Sequence, residues 1–435
     1  MGLFTIAGVL EGFYGRPWSW ADRRAVMERA IPGGLPWYAW APKGDPLHRD
    51  HWRAPFTDEH LSGFADLLTI EDLNLCIGVA PADPGATVHE DIAALVDKLE
   101  PVVQLVEAVG SHTPMLMLAF DDLGTEFTDP TRHGALVKGV GAHFGDRVML
   151  AAIPVHYAGT KRTDYLAEFS ALLPPDVLVG WTGVMVVNDH VDAVDAEAFS
   201  DAVDGRPLLL WDNYPVNDAV MAGQLFLHPL RGRDALLSEF CPAYFANAGS
   251  RPMLSLPGLL SAGAFCESGS SSEVWDEFEQ PVQLALLAEA CEGRELYRLG
   301  VAAAADPESK EFDDLWWWLE RMEVLELDGA LGAEAEPWVT QANAEAELCL
   351  VAVDLLDRET TDDDVPGLIM ELWRRWPRVR SAKVNVFGHR LALRPTMTID
   401  SDAKWALIAS SVVRDRNVTD LLCAAALSKH THPTS

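Results

Sequence analysis

Basic residues are scarce in this chain: 33 Lys and Arg stand against 66 Asp and Glu among 435 residues, a formal net charge of −33. Such a surface repels nucleic-acid phosphates and anionic lipid headgroups, so neither a nucleic acid nor a membrane is an expected partner. Cysteine is sparse too. The six copies, Cys76, Cys241, Cys266, Cys291, Cys349 and Cys423, are scattered, mostly in apolar runs and never at Cys-x-x-Cys spacing. They read as free buried thiols. No apolar run reaches the ~18 residues of a membrane span. Met1-Gly2-Leu3-Phe4 enters a strand without a basic leader or a signal-peptide core, and the expectation is a cytoplasmic protein. Gly139-x-Gly141-x-x-x-Gly145 follows a helix instead of a strand and misses the dinucleotide spacing. His48-Arg49-Asp50-His51 has a metal-like spacing but reads as a structural turn, and Asn417-Val418-Thr419 is a glycosylation sequon without meaning in a cytoplasmic protein. Neither a metal nor a cofactor is expected.

What is present is alternation. Eight short β-like runs, approximately 5–11, 36–41, 75–80, 115–120, 148–153, 177–181, 207–211 and 243–246, are separated by helix-length segments such as 19–30, 57–68, 88–109 and 131–143. Strands alternating with helices make a parallel sheet covered by helices, and eight such units in about 265 residues make a TIM (β/α)8 barrel. After about residue 275 the strands stop. Residues 281–290, 312–327 and 336–357 read as amphipathic helices, and Asp362-Asp363-Asp364 before Val365-Pro366-Gly367 marks a loop between two more. The expected organisation is an α/β barrel over 1–270, a smaller all-helical domain over 275–428 with short helices at 406–413 and 418–427, and a disordered tail from Lys429. Trp316-Trp317-Trp318 cannot form one sugar platform, because successive helix positions point about 100° apart; at least two of the three are expected in the core. Ser268 to Ser272 reads as a loop or domain linker.

The run Met115-Leu116-Met117-Leu118-Ala119-Phe120 ends abruptly in Asp121-Asp122. Burying an unpaired carboxylate costs several kcal/mol, so two at the end of a buried strand point to use. Strand side chains alternate between faces, but a pair at the C-terminal edge can escape that rule as the chain turns, so both can reach one substrate.

Five blocks occur in one order: 8–20 (Gly-Val-Leu-Glu-Gly-Phe-Tyr-Gly-Arg-Pro-Trp-Ser-Trp), Tyr38 to Pro46, the Asp pair, Trp181-Thr182-Gly183, and Trp211 to Asp218. Together they resemble the family 84 glycoside hydrolases, which are β-N-acetylglucosaminidases that include enzymes removing N-acetylglucosamine from protein serines and threonines. The likeness covers roughly residues 5–265. It implies a retaining, exo-acting enzyme whose nucleophile is the substrate's own acetamide oxygen, an exception to the usual two-carboxylate scheme.

On matching positions the resemblance makes Asp121 the carboxylate that orients the acetamide N–H and Asp122 the general acid that later becomes the base for water. Two acids this close titrate as a coupled pair. Tyr157 would donate to the acetamide oxygen or oxazoline. Gly12 would allow close approach to the ring, Lys43 would donate to a hydroxyl, and Asp218 and Asn247 would hold ring hydroxyls. Asn213 would support the acetamide side, while Thr182, Val186 and Trp211 would wall the methyl pocket. The chain departs from the family pattern at Gly44, Ile153 and Ala248. The expected partner is an N-acetylglucosamine-bearing protein, glycan fragment or small glycoside. An endo-acting hexosaminidase and a non-catalytic sugar-binding scaffold are the alternatives.

Overall fold

The computed structural model describes residues 2–431 apart from 84, 86, 111, 124–126, 273, 389–391, 400–404 and 414–416. Eight parallel strands close into a barrel in sequence order: β1 (Ile6–Glu11), β2 (Trp37–Trp40), β3 (Asn74–Val79), β4 (Met115–Ala119), β5 (Met149–Ile153), β6 (Leu178–Trp181), β7 (Leu208–Asp212) and β8 (Ala243–Asn247). Closure is made by β1 on β8, with Leu10 opposite Asn247. The strands are almost wholly buried, since one face meets the barrel interior and the other the helices, and this is why they read as continuous apolar runs rather than alternating ones. Helices α1 (Trp20–Ala30), α2 (Asp58–Leu67), α3 (Val88–Val109), α4 (Pro130–Phe144), α5 (Asp164–Leu172) and α6 (Ala193–Ala202) follow β1 to β6 in turn, and α7 (Pro252–Ser268) follows β8, while the link from β7 to β8 carries two short 3-10 helices, Ala219–Met221 and Ala235–Glu239. Several start on side-chain caps. Ser19 forms a reciprocal capping box with Asp22, and Thr57, Thr87, Asp129 and Thr163 each accept from a backbone N–H of the first turn.

The chain then continues as α8 (Pro281–Glu292), α9 (Arg294–Ala305), α10 (Lys310–Glu323), α11 (Gly329–Asp357) and α12 (Val365–Val379). Two strands, β9 (Ala392–Ile399) and β10 (Trp405–Val413), pair with each other before the last helix, α13 (Val418–Thr431). The chain divides into two compact units, one of Met1–Asp218, Pro229–Ser272 and Pro395–Ile408, the other of Ala219–His228, Glu273–Arg394 and Ala409–Ser435. Segment 219–228 therefore groups with the helical unit although it lies between two barrel strands in sequence.

Three expectations are corrected here. Residues 406–413 form a strand, as suits the β-branched Ile408, Val412 and Val413. Residues 429–431 of the expected tail continue the last helix, where the Lys429 ammonium donates to the Leu356 carbonyl at 2.6 Å and His430 Nε2 lies 2.7 Å from the Leu355 carbonyl, while 432–435 lie outside the described residues. Finally, the inward stripe of α10 is Phe312, Leu315, Leu319 and Met322. Trp316 and Trp318 sit on its flanks, partly buried, and Trp317 is exposed under the Arg321 guanidinium. All six cysteines are free and buried. No helix among the described residues is long and apolar enough to cross a membrane.

Candidate active site

Each residue that the sequence singles out for chemistry lies at a strand's C-terminal end or in the loop that follows, the end at which TIM barrels collect active groups. Buried acids at this end divide into those consumed by the fold and those left available. Glu11, at the end of β1, takes two hydrogen bonds from the Arg23 guanidinium (2.8 and 3.0 Å), one from the Trp18 backbone N–H (3.0 Å) and one from the Tyr38 hydroxyl. Asp212, at the end of β7, is held by Arg233 (2.6 and 2.8 Å) and the Tyr244 hydroxyl (2.7 Å). Both are structural ties.

Asp121 is different. Its Oδ2 meets the Lys43 ammonium, with Arg49 Nη2 3.8 Å away, while its buried Oδ1 has no hydrogen-bond partner among the described residues. Burial alone would raise the Asp121 carboxyl, but the adjacent Lys43 and Arg49 cations outweigh it and hold the group below the usual carboxylate range. A charged, buried, half-satisfied carboxylate is costly unless a donor arrives to complete it.

Asp122 follows in a left-handed conformation, φ 55°. Asp tolerates that region better than most residues, and the turn swings its side chain out of strand alternation onto the same mouth as Asp121. Its two oxygens accept from two tyrosines: Oδ1 from the Tyr157 hydroxyl and Oδ2 from the Tyr14 hydroxyl, each at 2.7 Å. Burial, followed by the Asp122 charge, pushes both tyrosine hydroxyls well above their ordinary range, so both remain donors.

The floor is built from β1, β7 and β8. Asn247 Oδ1 accepts from the Gly12 N–H (3.1 Å) and its amide donates to Asn213 Oδ1 (2.8 Å). Asn213 Oδ1 also accepts from the Trp211 indole (3.1 Å), and its amide donates to the Val186 carbonyl (2.7 Å). A Cβ at position 12 would overlap the Trp211 ring, so only glycine leaves room for that ring. Tyr157, Trp211 and Val186 pack in one apolar cluster with the barrel core. The Thr182 hydroxyl donates to the Met185 carbonyl at 3.0 Å. Asp218 Oδ2 accepts from the Tyr14 backbone N–H at 2.6 Å, and burial raises its carboxyl.

All eleven residues named from the sequence thus gather at one end of the barrel. Within it the Lys43 ammonium is held by Asp121, the Tyr157 hydroxyl donates to Asp122, and Asn247 is engaged by Gly12 and Asn213. Two members escaped sequence reasoning. Tyr14 stands inside the first quoted block but offers nothing to separate it from a core aromatic, and Arg49 lies in the motif read as a structural turn. His48 of that motif is indeed buried, its Nδ1 2.9 Å from the Gly78 carbonyl, and burial followed by the Lys43 charge brings it down to about 3, so it is neutral. Arg49 turns the other way, donating to the Asp121 carbonyl at 3.1 Å and to the Tyr14 hydroxyl oxygen at 3.3 Å. Gly44, one of the departures from the family pattern, lies where a Cβ would overlap the Gly15 carbonyl.

Residues 7–294 match the sequence profile of the family described as beta-N-acetylglucosaminidase. The chain belongs to this family. Among curated relatives, the Protein O-GlcNAcase of Rattus norvegicus and that of Mus musculus are each 27% identical over 251 residues, 53% of this chain and 26% of the relative. The match therefore spans about a quarter of those proteins' length. Among solved structures, CpGH84B superposes with a TM-score of 0.79 at 21% identity, covering 89% of this chain and 75% of that one. A mutant O-GlcNAc hydrolase from Thermobaculum terrenum superposes at 0.77 and 20% identity, covering 98% and 95%. These structures share with this β-N-acetylglucosaminidase family member the barrel and the helices that follow it.

Asp218 offers an early test of this geometry. Replacing it by Ala is expected to cost roughly 2–4 kcal/mol in kcat/KM on a nitrophenyl N-acetylglucosaminide, because the carboxyl expected to hold ring hydroxyls is lost. Steady-state kinetics beside an unchanged unfolding midpoint would locate that loss in the site, and near-normal kinetics would remove Asp218 from it.

Proposed function

We propose that this protein is a retaining exo-β-N-acetylglucosaminidase that acts by substrate assistance. The observation that carries the reading is the unpartnered Oδ1 of Asp121, buried, with two cations at the other oxygen. An acetamide N–H is the donor that would complete it. The carboxylate then draws electron density toward the amide oxygen, which attacks C1 and forms an oxazoline. Asp122 protonates the departing glycosidic oxygen and, in the second half, takes a proton from the water that opens the oxazoline. Two neighbouring residues at one strand end suit this division better than the usual retaining pair, whose carboxyl groups work from opposite faces of the sugar about 5 Å apart.

The closed floor of Gly12, Trp211, Asn213 and Asn247 supports a terminal sugar entering end-on. The family and the O-GlcNAcase relatives support N-acetylglucosamine as that sugar. Its carrier is left to the residues outside the sugar pocket, and a protein hydroxyl, a glycan fragment or a small glycoside would all present the same end group.

The test is a series of substrates with zero to three fluorines on the acetyl methyl. Each fluorine withdraws electrons from the attacking oxygen, so turnover is expected to fall stepwise, with the first-formed product in the β configuration by NMR. Flat rates or an α product would overturn substrate assistance.

A further inference from the structure

Tyr14 has no part in the roles above and Arg49 enters them only as a charge beside Asp121, yet together they bridge the two aspartates. Resting on the proposed reaction, we infer that Arg49 and Tyr14 are positioning residues that select Oδ1 of Asp122 as the oxygen that delivers the acid proton. The hydrogen-bond directions force the choice. A guanidinium has only donors, so Arg49 Nη1, 3.3 Å from the Tyr14 oxygen, occupies a lone pair there and the tyrosine proton must point elsewhere. The acceptor it meets is Asp122 Oδ2, at 2.7 Å. Oδ2 is thereby fixed as an acceptor and is a poor place for a proton.

The other oxygen, Oδ1, holds the Tyr157 hydroxyl at 2.7 Å before substrate arrives. In the proposed reaction Tyr157 turns to the substrate's acetamide oxygen, which frees Oδ1 to take up a proton from solvent. The order is then built in: the acid is completed only when the sugar that Tyr157 recognises is bound. In the first step the Oδ1 proton passes to the glycosidic oxygen as the C1–O bond breaks, with its electron pair staying on the leaving oxygen while the amide oxygen bonds to C1. The charge that develops on Asp122 is met by the Tyr14 hydroxyl. In the second step water bonds to C1, the C1–O bond of the oxazoline breaks, and the water proton returns to Oδ1.

Arg49 couples the carboxylates as well, since its Nη2 donates to the Asp121 carbonyl at 3.1 Å while Nη1 holds Tyr14. The loop that carries Tyr14 is tied down at two points: its backbone N–H donates to Asp218, and Gly15 crosses Gly44 so closely that a side chain there would displace it.

The experiment compares wild type, Tyr14→Phe and Arg49→Lys on aryl N-acetylglucosaminides of graded leaving-group pKa and on the fluoroacetyl series. Tyr14→Phe is expected to lose about 10–100-fold in kcat/KM on the poorest leaving groups and far less on the best, since one hydrogen bond to a charge is removed at the proton-transfer step. The fluorine dependence should stay at the wild-type slope, because amide attack is untouched. Arg49→Lys should show the same steepened leaving-group dependence, as an ammonium on a shorter chain cannot span Asp121 and Tyr14 together. Equal losses across leaving groups, or no loss in Tyr14→Phe, would overturn the inference. Tyr14 is 41% exposed, so its Phe variant is expected to fold, and its unfolding midpoint is measured beside wild type. Failure of the underlying reaction would appear separately, as a wild-type enzyme indifferent to fluorine.

Discussion

Replacing Asp122 by Ala is expected to slow hydrolysis of glycosides with poor leaving groups by about 10²–10⁴-fold, the usual span of general acid catalysis, while an activated nitrophenyl glycoside loses much less. The difference follows from where the proton is needed. A nitrophenolate departs without help, whereas an alkoxide such as a serine oxygen must be protonated as the bond breaks. In the proposed reaction the deglycosylation step also needs Asp122, as base for water, so the activated substrate should now accumulate the oxazoline stage. A small external nucleophile such as azide, which needs no base, should restore turnover on that substrate and yield a β-azide. If the Ala variant lost equally on both classes of leaving group, or if azide gave no rescue, Asp122 would not be the acid.

The barrel was legible in the sequence because parallel strands buried on both faces appear as short unbroken apolar runs. Each of the eight runs coincides with its strand to within one or two residues, and the long helix Val88–Val109 is bounded by its Thr87 cap and its Gly110 stop. The C-terminal third was less legible. The segment 405–413, Trp-Ala-Leu-Ile-Ala-Ser-Ser-Val-Val, is apolar at a length that periodicity cannot assign to helix or strand, and it pairs with β9. In α10 the tryptophans outweighed the smaller Phe312, Leu315, Leu319 and Met322 that form the inward stripe. The strand-end placement of the candidate residues is readable, since motif and strand end coincide. Their mutual bonds are not: no spacing in the sequence shows that the Arg49 of an apparent turn reaches both Asp121 and Tyr14, because that contact joins the loops after three different strands.

Removing the Asp121 carboxylate should be the more damaging change on activated substrates. In Asp121→Ala the Lys43 and Arg49 cations lose the anion between them, and the acetamide N–H meets no acceptor, so kcat should fall by about 10²–10³-fold for good and poor leaving groups alike. The loss is uniform because amide attack precedes or accompanies every bond cleavage, whatever departs. Azide should give no rescue, since the step it replaces comes later. A stable oxazoline mimic should bind wild type far more tightly than free N-acetylglucosamine does and lose most of that advantage in Asp121→Ala, as expected where the site is complementary to the species formed after attack. Asp121→Asn keeps an oxygen for the N–H but removes the charge that balances Lys43 and Arg49, so it should fall between wild type and Ala in both rate and mimic affinity. Retention of tight mimic binding in Asp121→Ala, or a loss confined to poor leaving groups, would transfer the orienting role to another residue.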